Sequence, residues 1–98
     1  MLFRSVGEVR GVGMLAALEF VADRAAKRRF DAALGVGARI SKAARARGLI
    51  ARAMPHGDIL GFSPPLIMSR AEVDEMVDIA QAAVREVTDE LAQQRAVA

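Results

Sequence analysis

Ninety-eight residues, 53% of them hydrophobic and 27% charged, suffice for one small folded domain and argue against a disordered tail. The absence of cysteine excludes a disulfide framework and thiolate metal sites. Every uncharged run is too short to span a bilayer, and the N-terminal residues lack the apolar core of a signal peptide, so we expect a cytoplasmic protein without a membrane partner.

The small net charge of +2 is unevenly distributed along the chain. Residues 1–69 carry 11 basic and 5 acidic side chains, whereas residues 70–98 carry 3 and 7. Such asymmetry can indicate nucleic-acid binding. The basic residues, however, cluster where a helix ends and the acidic ones where a helix begins, and no nucleic-acid-binding motif or stacking aromatic residue accompanies them. We therefore expect no nucleic-acid partner.

The first third of the chain predicts two strands. Val6–Arg10 alternates apolar and polar residues, and Met14–Val21 is a longer apolar strand interrupted only by Glu19. The intervening Gly11-Val12-Gly13 predicts a tight turn or a bulge with positive φ. A phosphate-binding loop is less favoured, because it needs a third glycine and a following helix.

A helix over residues 32–47 follows a charged connection. Asp31 is its predicted N-cap, and Gly48 after a basic last turn predicts a left-handed C-terminal cap. Gly35 and Gly37 each weaken a helix by roughly 1 kcal/mol relative to alanine. We expect these glycines to allow close packing of the helix against the sheet.

The segment Leu49–Leu66, LIARAMPHGDILGFSPPL, predicts a strand, a turn and a second strand. The strands are Leu49–Ala53 and Ile59–Phe62, and the turn formers at 55–58 separate them. The double proline after Phe62 forces extended chain.

The last predicted element is a helix over residues 70–92. Ser69 and Glu72 form a capping box at its start. Apolar residues then recur at steps of three and four along one face, from Val73 to Leu91. Together the elements predict an α+β fold in two layers, with a small, mainly antiparallel sheet covered on one face by two helices.

Arg52 is the candidate binding residue, because it lies where an apolar strand meets a loop. Its planar guanidinium suits a carboxylate or a phosphate, although an arginine there can also pair with a neighbouring Asp or Glu. His56 with Asp58 could form a general base, but a single histidine on a turn is more often exposed to solvent. No ligand spacing indicates a metal site.

Two stretches, VGEVRGVGMLAALEFV (6–21) and RGLIARAMPHGDILGFSPPLIMSRAEVDEM (47–76), resemble the C-terminal segment of class III pyridoxal-phosphate-dependent aminotransferases. The patterns RGxGxxxAxE and GDILxxxPPLxxSRAEVDE carry the resemblance, which is nearest to omega-amino-acid and amine:pyruvate transaminases. It implies that Arg52 binds the substrate carboxylate and that the complete enzyme moves an amino group from an amine or omega-amino acid to a keto acid such as pyruvate.

The chain has no counterpart of the family's Schiff-base lysine, of the aspartate beside the pyridine nitrogen or of the phosphate-binding loop. We therefore expect residues 1–98 to be one domain that is inactive and binds no pyridoxal phosphate alone, and that requires a missing N-terminal large domain or a homodimer partner. The alternative is a stand-alone, non-catalytic binding or oligomerisation module derived from that domain. A Schiff-base lysine encoded upstream of Met1 would distinguish the two.

Overall fold

The computed structural model describes residues 6–13, 15–54, 58–64 and 67–93. Its elements are, in order, β1 (Val6–Val12), β2 (Leu15–Phe20), a 3-10 helix (Ala32–Leu34), α1 (Val36–Ala46), β3 (Arg52–Ala53), β4 (Ile59–Phe62) and α2 (Arg70–Gln93). The strands form one antiparallel sheet in the order β1-β2-β4-β3. The predicted α+β fold is confirmed.

The β1–β2 hairpin closes on the pair Val12 and Leu15, with Gly13 at φ +57° in the turn. The predicted turn over residues 11–13 is thus confirmed at Gly13 alone, because Gly11 and Val12 belong to β1. The bulge lies at the other end of β1, because the register shifts between Val6 and Glu8. A Cβ on the intervening Gly7 would lie 2.7 Å from Cγ1 of Val21, so glycine permits this close approach.

The prediction of a strand over Leu49–Ala53 is wrong in length, since only Arg52 and Ala53 pair with β4. The N–H of Leu49 donates to the carbonyl of Ala44 in α1, at 2.9 Å. The carbonyl of Ala51 accepts from the Ser41 hydroxyl, at 2.7 Å. These backbone groups are bonded to α1, so β3 begins at Arg52, three residues after its predicted start.

The predicted start of the first helix at residue 32 is also wrong. Asp31 caps only the 3-10 helix, where its carboxylate accepts the N–H of Ala33 at 3.0 Å. Gly35 then adopts a left-handed conformation at φ +57°, and α1 begins at Val36. Helical hydrogen bonds cannot continue through a left-handed residue, so the glycine divides the predicted helix in two.

The end of α1 follows the prediction. Gly48 is left-handed at φ +89°. Its N–H donates to the carbonyl of Arg45 at 3.0 Å, and the N–H of Leu49 donates to Ala44. These two bonds constitute a Schellman motif, which satisfies carbonyls that the helix end would leave unpaired.

Both helices cover the same face of the sheet. The core contains Phe20 and Leu60 from the strands, together with buried residues of both helices: Val36, Ile40, Ala43, Ala44, Ala83, Val84, Val87 and Leu91. Two ion pairs join α1 and its C-cap residue to α2, Arg39 with Glu90 at 2.7 Å and Arg47 with Glu86 at 2.9 Å. All the buried residues of α2 lie at Ala80 or beyond, so its first ten residues, 70–79, extend past the core.

Candidate functional site

The sheet face opposite the helices, here called the open face, carries a row of four register partners. Arg10 pairs with Ala17, Ala17 with Gly61, and Gly61 with Arg52. Paired residues of neighbouring antiparallel strands lie on the same face, so the two arginines flank two small residues. Three interstrand steps of about 4.8 Å separate their α-carbons by roughly 14 Å.

A groove of about 450 Å³ lies over this row. Its lining is mainly apolar, and Arg10 and Arg52 contribute the charged side chains. The thioether of Met54 lies over Gly61, where a Cβ would collide with its terminal methyl group. Glycine at position 61 thus lets Met54 cover the sheet beside Arg52.

Arg52 is exposed and forms no side-chain hydrogen bond or ion pair with any part of the chain that the structure describes. It opens β3 instead of lying near the end of a longer strand, because β3 is so short. The alternative role from the sequence, pairing with a neighbouring Asp or Glu, is not observed for the described residues. The guanidinium is therefore available to an anion in the groove.

Arg10 is the groove residue that the sequence did not single out. Its guanidinium contacts the carboxylates of Glu8 at 3.2 Å and Glu19 at 3.1 Å. Glu8 and Arg10 are two positions apart on a strand and share a face, which is a visible signal. The contact with Glu19 depends on the hairpin register, so the sequence alone could not assign it.

The second candidate from the sequence was a general base formed by His56 with Asp58, and only Asp58 belongs to the described residues. His56 lies outside the described residues. Asp58 is engaged elsewhere: its Oδ1 accepts the N–H of Gly37 at 3.1 Å, and its carbonyl accepts the N–H of Phe20 at 2.7 Å. Asp58 thus caps α1 and connects it to β2, which is a structural role.

Other kinds of site lack support in the described ranges. No group of three His, Asp or Glu residues there could hold a metal ion. No helix within those same ranges is long and apolar enough to cross a membrane. The two lysines of the sequence, Lys27 and Lys42, are both exposed. A lysine that binds a cofactor covalently is usually desolvated or beside another cation, so neither fits that role.

Several curated relatives match most of the chain, among them the following two. An uncharacterized aminotransferase of Sinorhizobium fredii is 70% identical over 86 residues, which is 88% of this chain and 18% of that protein. A diaminobutyrate–2-oxoglutarate transaminase of Halomonas elongata is 60% identical over 92 residues, which is 94% of this chain and 20% of that protein. No family model matches.

Solved structures agree with these relatives. A transaminase from ancestral reconstruction superimposes with a TM-score of 0.88 at 66% identity, over 90% of this chain and 19% of that one. The chain is homologous to the C-terminal segment of class III aminotransferases. A PLP-bound aminotransferase mutant from Vibrio fluvialis gives a TM-score of 0.84 at 39% identity, over 90% of this chain and 19% of that one. This aminotransferase segment spans about a fifth of the length of the curated relatives it matches.

Proposed function

We propose that this chain is the small C-terminal domain of a pyridoxal-phosphate-dependent aminotransferase, in which Arg52 binds the substrate carboxylate. The complete enzyme would move an amino group from an amine or omega-amino acid to a keto acid such as pyruvate. The complete polypeptide would also contain an N-terminal large domain, and it would pair with a second copy of itself.

The proposal rests on the exposure of the Arg52 side chain and on its lack of an ion-pair partner among the described residues. Its side chain is exposed, lies beside a mainly apolar groove and has no ion-pair partner in the described part of the chain. Arg10, across the same groove, is held by two carboxylates and is less available to a ligand. A free guanidinium fork next to an apolar wall favours a small molecule with one carboxylate and a hydrocarbon portion.

The cofactor would be held mainly by the missing part of the enzyme. Neither Lys27 nor Lys42 fits covalent attachment, since both side chains are in solvent. The cofactor supplies the amino-group carrier in this family, and the proposed contribution of the present chain is to bind and orient the substrate.

The test is Arg52→Ala in a complete aminotransferase that carries this segment. Loss of a bidentate pair should cost about 1.5–3 kcal/mol with carboxylate substrates, or roughly ten- to a hundredfold in kcat/KM. The half-reaction with an amine that lacks a carboxylate should change little. Arg52→Lys keeps the charge without the fork and should restore part of the loss.

Arg47→Ala is a matched control, because Arg47 is an exposed arginine that pairs with Glu86 away from the groove. It should leave both half-reactions unchanged. Equal slowing of pyruvate and of an aryl-alkyl amine by Arg52→Ala would mean that Arg52 stabilises its loop and does not bind substrate.

A further inference from the structure

The edge strand β1 is long and exposed, with seven residues of which six are exposed. An edge strand presents unpaired N–H and C=O groups to which another strand can bond. Opposite residues of an antiparallel pair alternate between hydrogen-bonded and non-hydrogen-bonded positions. A two-residue hairpin closes on a bonded pair, here Val12 with Leu15, so Gly11 and Val9 direct their N–H and C=O groups outward.

The sequence of β1 is the same in both directions about Val9, except that glutamate and arginine exchange places. It is Val-Gly-Glu-Val-Arg-Gly-Val over residues 6–12. If two copies of β1 align antiparallel with Val9 opposite Val9, then Glu8 faces Arg10 twice and Gly7 faces Gly11 twice. The outward backbone groups of Val9 bond to each other in this register, and the charged residues occupy the closer, non-hydrogen-bonded positions.

From these features we infer that β1 pairs with β1 of a second copy of this chain, centred on Val9, to form a continuous eight-stranded sheet. Arg24 limits the length of the pairing, because its Nε donates to the carbonyl of Val6 at 3.1 Å. The paired segment is therefore residues 7–11. The interface lies at the sheet edge and does not depend on Arg52 or on the proposed aminotransferase activity.

The helix side of the same edge has apolar surface that this pairing would cover. A groove of about 550 Å³ lies between β1 and α2, and its lining includes Val9, Val73, Met76 and Val77. Val9 is 69% exposed and Val77 is 47% exposed. A second β1 would bring its own Val9 against this groove, beneath residues 70–79 of α2, which extend past the core.

The experiment is sedimentation equilibrium of the 98-residue chain with the variants Glu8→Arg, Arg10→Glu and the double exchange. The unchanged chain should dimerise. Each single reversal places two like-charge contacts in the dimer and should raise the dissociation constant about tenfold or more.

The double exchange restores complementarity between the copies. Because position 8 lies directly opposite Glu19 within each copy, the exchange also keeps an arginine beside that carboxylate. The dissociation constant of the doubly exchanged dimer should return to within about threefold of that of the unchanged chain.

Leu15→Lys is the control for association through the open face, since Leu15 is 61% exposed near the groove of Arg52 and lies outside the paired segment. It should leave the dimer unchanged. Far-UV circular dichroism confirms that each variant is folded. If a reversal unfolds the chain, Val9→Pro replaces it, because this change removes an N–H that faces away from β2 and should also abolish the dimer.

Three outcomes would overturn the inference. The first is a chain that remains monomeric at every concentration. In the second, the variant with the double exchange dimerises as weakly as the variants with single reversals. The third is a dimer that persists in both single variants and is lost in Leu15→Lys, which would place association on the open face.

Discussion

Asp58 supplies an acceptor for the first turn of α1 from a distant part of the chain. Gly35, at the N-cap position of α1, has no side chain to accept the first N–H groups. Asp58, 21 positions away from Gly37, accepts one of them. A Cβ on Gly37 would lie 3.4 Å from the α-carbon of Asp58, so the glycine allows the two segments to approach.

We predict that Asp58→Ala lowers the free energy of unfolding by about 1–2 kcal/mol, the usual cost of losing a helix cap. Asp58→Asn keeps an acceptor oxygen and should lose less. Urea denaturation followed by circular dichroism measures both. Asp31→Ala removes a cap from the three-residue 3-10 helix alone and should have a smaller effect. Equal losses for the two alanine variants would contradict the proposed role of Asp58.

Of the two arginines that line the groove on the open face, the sequence indicates Arg52 but not Arg10. Arg52 is recognisable in the sequence because a lone arginine interrupts an apolar segment, and the family resemblance implies a role for it. Arg10 was missed because its neighbours on the open face come from β2, and the register of the hairpin decides which residues these are. The sequence places Asp58 two residues from His56, whereas the bond of Asp58 to Gly37 is set by tertiary structure.

The elements themselves were predicted best where local bonds define them. The N–H of Ser69 donates to the Glu72 carboxylate at 3.0 Å, and the N–H of Glu72 donates to the Ser69 hydroxyl at 3.2 Å, so the capping box is confirmed. The glycine cap of α1 is local as well. The predicted length of β3 is wrong because contacts with α1, such as the bond from Ser41 to Ala51, engage the preceding backbone. The predicted start of α1 is wrong because Gly35 adopts a left-handed conformation.

The capping box should make the stability of α2 depend on pH. The pKa of the Glu72 carboxyl lies below its ordinary value, mainly because it accepts the backbone N–H of Ser69 and secondarily because of the Ser69 hydroxyl. A depressed folded-state pKa stabilises the helix fully above the pKa of the unfolded chain, and this stabilisation disappears as the pH falls through the folded-state value.

We therefore expect the stability difference between the unchanged chain and Glu72→Ala to be largest at neutral pH and to vanish in acid. Thermal unfolding at a series of pH values measures it. Glu72→Gln, which can still accept the N–H of Ser69 and does not titrate, should show a flatter pH profile. A difference that persists unchanged into strong acid would rule out the carboxylate as its source.

For the whole molecule, we propose that this chain binds substrate and that the rest of the enzyme holds the cofactor. The isolated chain should not retain pyridoxal phosphate after desalting, because its only lysines, Lys27 and Lys42, lie in solvent. Borohydride reduction followed by mass spectrometry detects any covalent lysine adduct. Stoichiometric labelling of one lysine, or transaminase turnover by the purified 98-residue chain, would defeat this expectation.

The strand order also constrains how quickly the chain can fold. β1 with β2, and β3 with β4, are neighbours in sequence, so their contacts close short loops. Joining β2 to β4 must close a loop of about forty residues that contains α1, which is entropically costly and slow. Leu18 and Leu60 face each other across this junction. Shortening Leu18 to alanine should therefore slow refolding in stopped-flow experiments, whereas Val12→Ala, at an 82% exposed position at the end of the local hairpin, should change the refolding rate little.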